Sequence, residues 1–142
     1  MVQYLIMPKK YFIVESAEKE IPKIKKSLAM LQSIKKAIDA ISSVRIDIEE
    51  FGFDEVRETG TKLQKEYYKL NYEFYKELEK LESIGCILKD LELGLVDFYC
   101  KFEGRDIFLC WKLGEKRIEA WHEADSGFAG RKPIANINQY QQ

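Results

Sequence analysis

The chain has 142 residues, of which 46% are hydrophobic and 33% charged, with a formal net charge of −1. That length can bury a real core in one domain without staples, and the near-neutral balance argues against a general polyanion-binding surface. No apolar run approaches the roughly 20 residues that span a bilayer, and Met1–Met7, followed by Pro8-Lys9-Lys10, is too short for a signal peptide, so a cytoplasmic protein with no membrane partner is expected.

Taken in order, Met1–Lys10 reads as an extension, in which Val2–Met7 forms an edge strand or a loosely held arm. Tyr11–Val14 is a short extended entry. A long helix starts near Glu15 or Ser16, with Ala17, Ile21, Ile24, Leu28 and Leu31 on a heptad seam and Ile34, Ile38, Ile41, Val44 and Ile48 continuing it out of phase. Pro22 either kinks this helix or marks its true start, because it lacks an N–H. Phe51-Gly52-Phe53 breaks the pattern, and Asp54 is the expected N-cap of a second helix reaching Ser83. Its seam is Val56, Leu63, Tyr67, Leu70, Phe74, Leu78 and Leu81, with Gly60 at the missing position. The short connection implies an antiparallel helical hairpin over 15–84, and Gly85 closes the second helix as a C′ glycine. Cys86–Leu88 allows a brief strand, and Lys89–Gly94 is a turn-rich linker. Residues 95–134 carry a β-meander and a loop, and 135–142 a polar tail expected to fray.

Glu103-Gly104 is the expected two-residue turn of the first hairpin, pairing Phe102 with Arg105 and Cys100 with Ile107. Val96, Phe98, Cys100 and Phe102 then share an apolar core face with Ile107, Leu109, Trp111 and Leu113. A second two-residue turn at Gly114-Glu115 would add Ile118, Ala120 and His122 to that face. The opposite face would carry an aromatic row of Tyr99, Phe108 and Trp121, beside rows of Asp97, Cys110 and Glu119 and of Lys101, Asp106 and Glu123. Such a row implies a cover, supplied by Phe128 and the tail, by a ligand, or by a second copy of the chain.

Three sets of residues carry candidate chemistry. In the loop Gly127-Phe128-Ala129-Gly130-Arg131-Lys132, glycines at positive φ could turn successive N–H groups onto an anion. Arg131 and Lys132 would supply charge there. The competing reading is a structural loop in which Arg131 pairs with Asp125 or Glu123. His122 with Asp125 and a third carboxylate from Asp97 or Glu119 could hold one divalent metal. The competing reading is a core-edge histidine satisfied by hydrogen bonds, and the cofactor is then either none or that one metal. Cys86, Cys100 and Cys110 are odd in number and lack CxxC spacing, so they read as reduced packing residues. Cys110 beside carboxylates would be a poor nucleophile. Lys9, Lys10, Lys23, Lys25 and Lys26 form the densest basic group, but interleaved acids weigh against nucleic acid. The Lys/Glu richness and scarce proline are close to thermophile usage.

The segments Tyr11-Phe12…Glu15…Ala17…Ile21-Pro22, Gly85…Leu88-Lys89-Asp90-Leu91, Gly94–Phe98, Cys110–Glu115 and Trp121–Ile134 resemble the bacterial and archaeal family catalogued as domain of unknown function 2203. The resemblance implies small soluble proteins with a helical hairpin and a terminal β-region, and it brings no activity. Ile13 stands where the family usually has Ser or Thr, and Tyr99 where it usually has Pro. The resemblance also groups Asp97, Trp111, Trp121, His122, Gly127, Phe128, Gly130 and Arg131 as one unit.

The sequence therefore predicts a single α+β domain, a long antiparallel helical hairpin packed on a three-stranded antiparallel meander. The leading functional expectation is a non-enzymatic module binding a partner or a small anionic ligand, with a homodimer formed through the hairpin or through Tyr99, Phe108 and Trp121. The alternative is a metal-dependent hydrolase built on His122, Asp125 and Asp97 or Glu119, with Arg131 holding an anionic substrate.

Overall fold

A computed structural model describes residues 9–45 and 48–138. The expected strand or arm at Val2–Met7 lies outside these residues. Helix α1 (Val14–Ser42) runs continuously through Pro22, which is therefore neither its start nor its end. Ile13 stands at its N-cap with no side-chain oxygen to offer. Ser16 compensates, because its Oγ accepts the Ile13 N–H at 3.0 Å. A single helical turn, α2 (Ile48–Phe51), precedes α3 (Phe53–Ser83). Gly52 caps α3, not the expected Asp54: at φ 83° it makes a bend that other residues resist, and Asp54 falls in the first turn, where its charge suits the helix dipole.

The two long helices pack antiparallel, with Ser27 Oγ donating to Glu77 Oε1 at 2.6 Å across their interface. At 29 and 31 residues each is about 45 Å long. Their burial is uneven. Ala17, Ile21, Ile24, Leu28, Leu31 and Leu81 are in the core. Ile34, Ile38, Ile41, Val56, Leu63 and Leu70 continue the seams but stay half-buried.

The sheet has five antiparallel strands in sequence order, not three: β1 (Ile87–Asp90), β2 (Leu95–Phe102), β3 (Arg105–Lys112), β4 (Ala120–Glu123) and β5 (Lys132–Pro133). The additional strands are the two edges. Alongside β1, Tyr11 bridges Tyr99 in parallel and the Phe12 N–H donates to the Tyr99 carbonyl at 2.8 Å, so the entry segment extends that edge. The β2–β3 turn is Glu103-Gly104, both at positive φ (51° and 76°), and it sets the expected register of Phe102 with Arg105 and Cys100 with Ile107.

The register of β4 differs from the expectation by one residue. Residues 113–119 form a longer loop in place of a two-residue turn, so Leu109 faces Trp121, Phe108 faces His122 and Cys110 faces Ala120. A one-residue slip exchanges the two faces of a strand. Trp121 therefore joins the helix-facing core with Val96, Phe98, Ile107, Leu109 and Trp111, while His122 moves to the outer face. The outer row is Tyr11, Tyr99, Phe108 and His122, with successive ring centroids 6.0, 4.8 and 5.3 Å apart. The chain after β5 is not simply a frayed tail: a short helix, α4 (Ala135–Asn138), buries Ile137 in the core. Residues 139–142 lie outside the described set. Among the described residues no helix is long and apolar enough to cross a membrane.

Candidate functional site

The outer face of the sheet holds the only histidine of the chain in a buried polar cluster. Asp97 on β2, Cys110 on β3 and His122 on β4 project to this side because all three occupy the same parity in the observed register. Asp97 and His122 are each 2% exposed and Cys110 is fully buried. His122 Nδ1 lies 2.8 Å from the Glu123 carbonyl oxygen, which can only accept, so Nδ1 carries a hydrogen. His122 Nε2 lies 3.0 Å from Asp97 Oδ2. The second oxygen, Asp97 Oδ1, is buried with no hydrogen-bond partner. One His nitrogen, one Asp oxygen and the Cys110 sulfur all lie within 4.8 Å of one another.

This geometry excludes a thiol nucleophile. Both imidazole nitrogens are engaged, by the Glu123 carbonyl and by Asp97, so no free imidazole faces Cys110, and the neighbouring carboxylate disfavours a thiolate. Burial, reinforced by the Asp97 charge, pushes its thiol up to about 12. Burial pushes Cys86 up to about 12 as well. No disulfide joins the three cysteines, all of which are buried.

The loop after β4 is consumed by internal contacts. Arg131 Nη2 donates to both Glu115 oxygens, at 2.9 and 2.8 Å, and reaches the Cys110 carbonyl at 3.5 Å. Its guanidinium lies 5.1 Å from the Phe128 ring centroid, and Lys112 Nζ lies 5.9 Å from the same ring. Phe128 and Arg131 thus fold over the Cys110 end of the outer face. Glu115 also accepts the Lys112 N–H on its side chain at 2.7 Å and the Trp111 Nε1–H on its carbonyl at 2.9 Å. It ties the 113–119 loop to the later one. Lys132 lies 4.8 Å over the Trp121 ring and 3.9 Å from Glu123.

The expected anion cradle at Gly127, Gly130, Arg131 and Lys132 is accordingly occupied by protein groups. Only Gly127 of the two glycines has a positive φ, 62°. Gly130 is needed for a different reason, since a Cβ there would come within 2.5 Å of the Ser126 side chain. The Gly130 and Arg131 N–H groups are spent on the Gly127 and Phe128 carbonyls. Of the residues named for a metal, Asp97 and His122 meet, whereas Glu119 and Asp125 are exposed and outside the cluster. Two participants carry no local signal for the site: Cys110 reads from the sequence as a packing cysteine and a poor nucleophile, and Glu115 as part of a two-residue turn. Lys9, from the basic group, pairs with Asp106 at 3.2 Å.

Fold and site together define a mixed α+β protein, a helical hairpin on an antiparallel sheet whose outer face buries a His–Asp–Cys cluster. A family model described as an uncharacterized conserved protein, DUF2203, matches residues 10–134, and the chain belongs to that family. No curated protein matches the chain, and no solved structure does.

Proposed function

We propose that the protein is a non-enzymatic interaction module whose working surface is the outer side of α3, and that the occupant of that surface is a second copy of the chain. The observation that carries this is a stripe of Tyr68, Tyr72 and Tyr75, 62%, 69% and 64% exposed, on the side of α3 away from its seam with α1. The spacing of four and three is that of a helix–helix contact face. The flanking charges are self-complementary. In an antiparallel pair of α3 helices crossing at Tyr72, exposed Lys65 meets Glu79 of the second copy, and Lys69 and Lys76 meet Tyr75 and Tyr68. Opposite charges and cation–π contacts would then flank a central tyrosine pair.

The loop around Arg131 gives less support to an anion-binding role, because its charges are already paired with Glu115 and Glu123. A metal-dependent hydrolase draws less support still. His122 and Asp97 are too deeply buried to meet a substrate, and Arg131 is not free to hold one.

Light scattering coupled to size exclusion is the test. Wild type is expected at twice the chain mass of 16.7 kDa, and Tyr72→Glu, which sets two like charges at the axis, at that mass alone. A wild-type monomer at roughly 100 μM, a concentration at which even a weak complex is populated, would sink the reading.

A further inference from the structure

We infer that Asp97, Cys110 and His122 form a zinc-binding centre that cross-links β2, β3 and β4 on the outer face of the sheet. Three donor types that zinc favours meet there, with atoms within 4.8 Å of one another. Tetrahedral zinc with bonds of about 2.0–2.3 Å needs donors roughly 3.3–3.8 Å apart. His122 Nε2 and Asp97 Oδ2, 3.0 Å apart, would spread slightly, and no donor pair in the cluster exceeds 4.8 Å, so side-chain adjustments of about an ångström would bring all three onto one ion.

Three further observations point the same way. The Nδ1–H bond to the Glu123 carbonyl fixes the ring and directs Nε2 into the cluster, the arrangement that orients metal-bound histidines. Asp97 Oδ1 is a buried acceptor with no partner, a costly state for a carboxylate oxygen. Asp97, Cys110 and His122 supply one donor atom each, and a water donating to Asp97 Oδ1 would complete the fourth position. Charge also balances. A zinc dication held by a neutral imidazole, one carboxylate and one thiolate is a neutral unit, so the site can be filled without placing net charge in the core. Its burial assigns it a structural role, independent of the contact surface on α3.

The test uses the full chain, exposed to zinc and then dialysed, and in parallel to cobalt(II) as a spectroscopic stand-in. About one zinc per chain is expected, with a sulfur-to-cobalt charge-transfer band in the near ultraviolet. Cys110→Ser, close to isosteric, abolishes the band, which also separates Cys110 from the other two thiols. His122→Gln weakens cobalt binding by more than the roughly 10–100-fold that losing a supporting partner costs. Circular dichroism checks that each variant is folded; if one is not, the wild-type metal content and cobalt spectrum decide alone. Wild-type protein that retains no stoichiometric zinc and shows no thiolate band would overturn the inference and leave a hydrogen-bonded cluster. A band that survives Cys110→Ser would overturn it equally.

Discussion

The two ends of the helical hairpin are built from the same residue types and fare differently. At its base, Ile24, Leu28, Leu31 and Leu81 are fully buried against Phe98, Leu109 and Trp111 of the sheet. Toward its tip, Ile38, Val56 and Leu63 keep the same periodicity but lie outside the buried cluster and stay half-buried. A heptad seam specifies which side of a helix is apolar; a third layer of structure decides how much that side contributes. The sharpest way to break this contrast is a pair of truncations. Leu28→Ala is expected to cost about 2–5 kcal/mol, the range for a buried leucine leaving a cavity. Ile38→Ala, at a partly hydrated seam, is expected to cost roughly 1 kcal/mol. Urea unfolding of both variants checks this, and equal losses would mean that the tip is as tightly packed as the base.

Two glycines of the hairpin sharpen the same contrast with opposite signs. Gly60 lies inside α3 toward the tip with open space where a Cβ would go. Gly60→Ala should therefore gain about 0.5–1 kcal/mol from helix propensity alone. Gly85 ends the base of α3 at φ 112°, and a Cβ there would lie 2.8 Å from Lys10 Cδ and 3.0 Å from the Phe12 ring. Its amide donates to the Glu82 carbonyl at 2.9 Å, closing the helix. Gly85→Ala should lose more than about 1 kcal/mol, since both the backbone conformation and the contact with Phe12 resist a side chain. Thermal melts of the two variants should move in opposite directions.

What could be read from the residues alone follows from the same physics. The seam from Ala17 to Leu31, the Glu103-Gly104 turn and the closing Gly85 are local signals, and each is where the periodicity and turn chemistry placed it; the expected continuation through Val44 and Ile48 is not, because α1 ends at Ser42 and Val44 is exposed. The face carried by β4 was not legible. Trp121-His122-Glu123 alternates acceptably in either register, and the choice rests on the length of the 113–119 loop. That length is held by contacts distant in the chain: Glu18 Oε1 on α1 accepts the Ile118 N–H at 3.2 Å, and Glu115 anchors Arg131. Local spacing offers Arg131 the neighbours Glu123 and Asp125, whereas folding brings Glu115 from 16 residues away. Asp97 and Cys110 were aligned by a turn that could be read. Their meeting with His122 depended on a turn that could not.

The smallest expected effect concerns a surface network at the edge of the sheet. Asp106 accepts from Lys101 at 2.7 Å and from Lys9 and Tyr11 at 3.2 Å each. The Lys101 hydrogen bond, ahead of those from Lys9 and Tyr11, holds its carboxyl below the ordinary 3.8. Arg105, bonded to Glu123 at 2.6 and 3.0 Å, likewise holds that carboxyl below its ordinary 4.5. A carboxylate depressed in the folded state contributes stability above its unfolded value and loses it as pH falls through the folded one. Both contributions should therefore be intact at neutral pH and disappear on acidification below about pH 4. Because these groups face solvent, salt screens them, and the effect ranks below either pair of substitutions above. Asp106→Asn should lower the melting temperature slightly at pH 7 and flatten its decline between about pH 4 and pH 2 relative to wild type. An unchanged acid slope would show that the network orders the Lys9–Tyr11 edge without stabilising the fold.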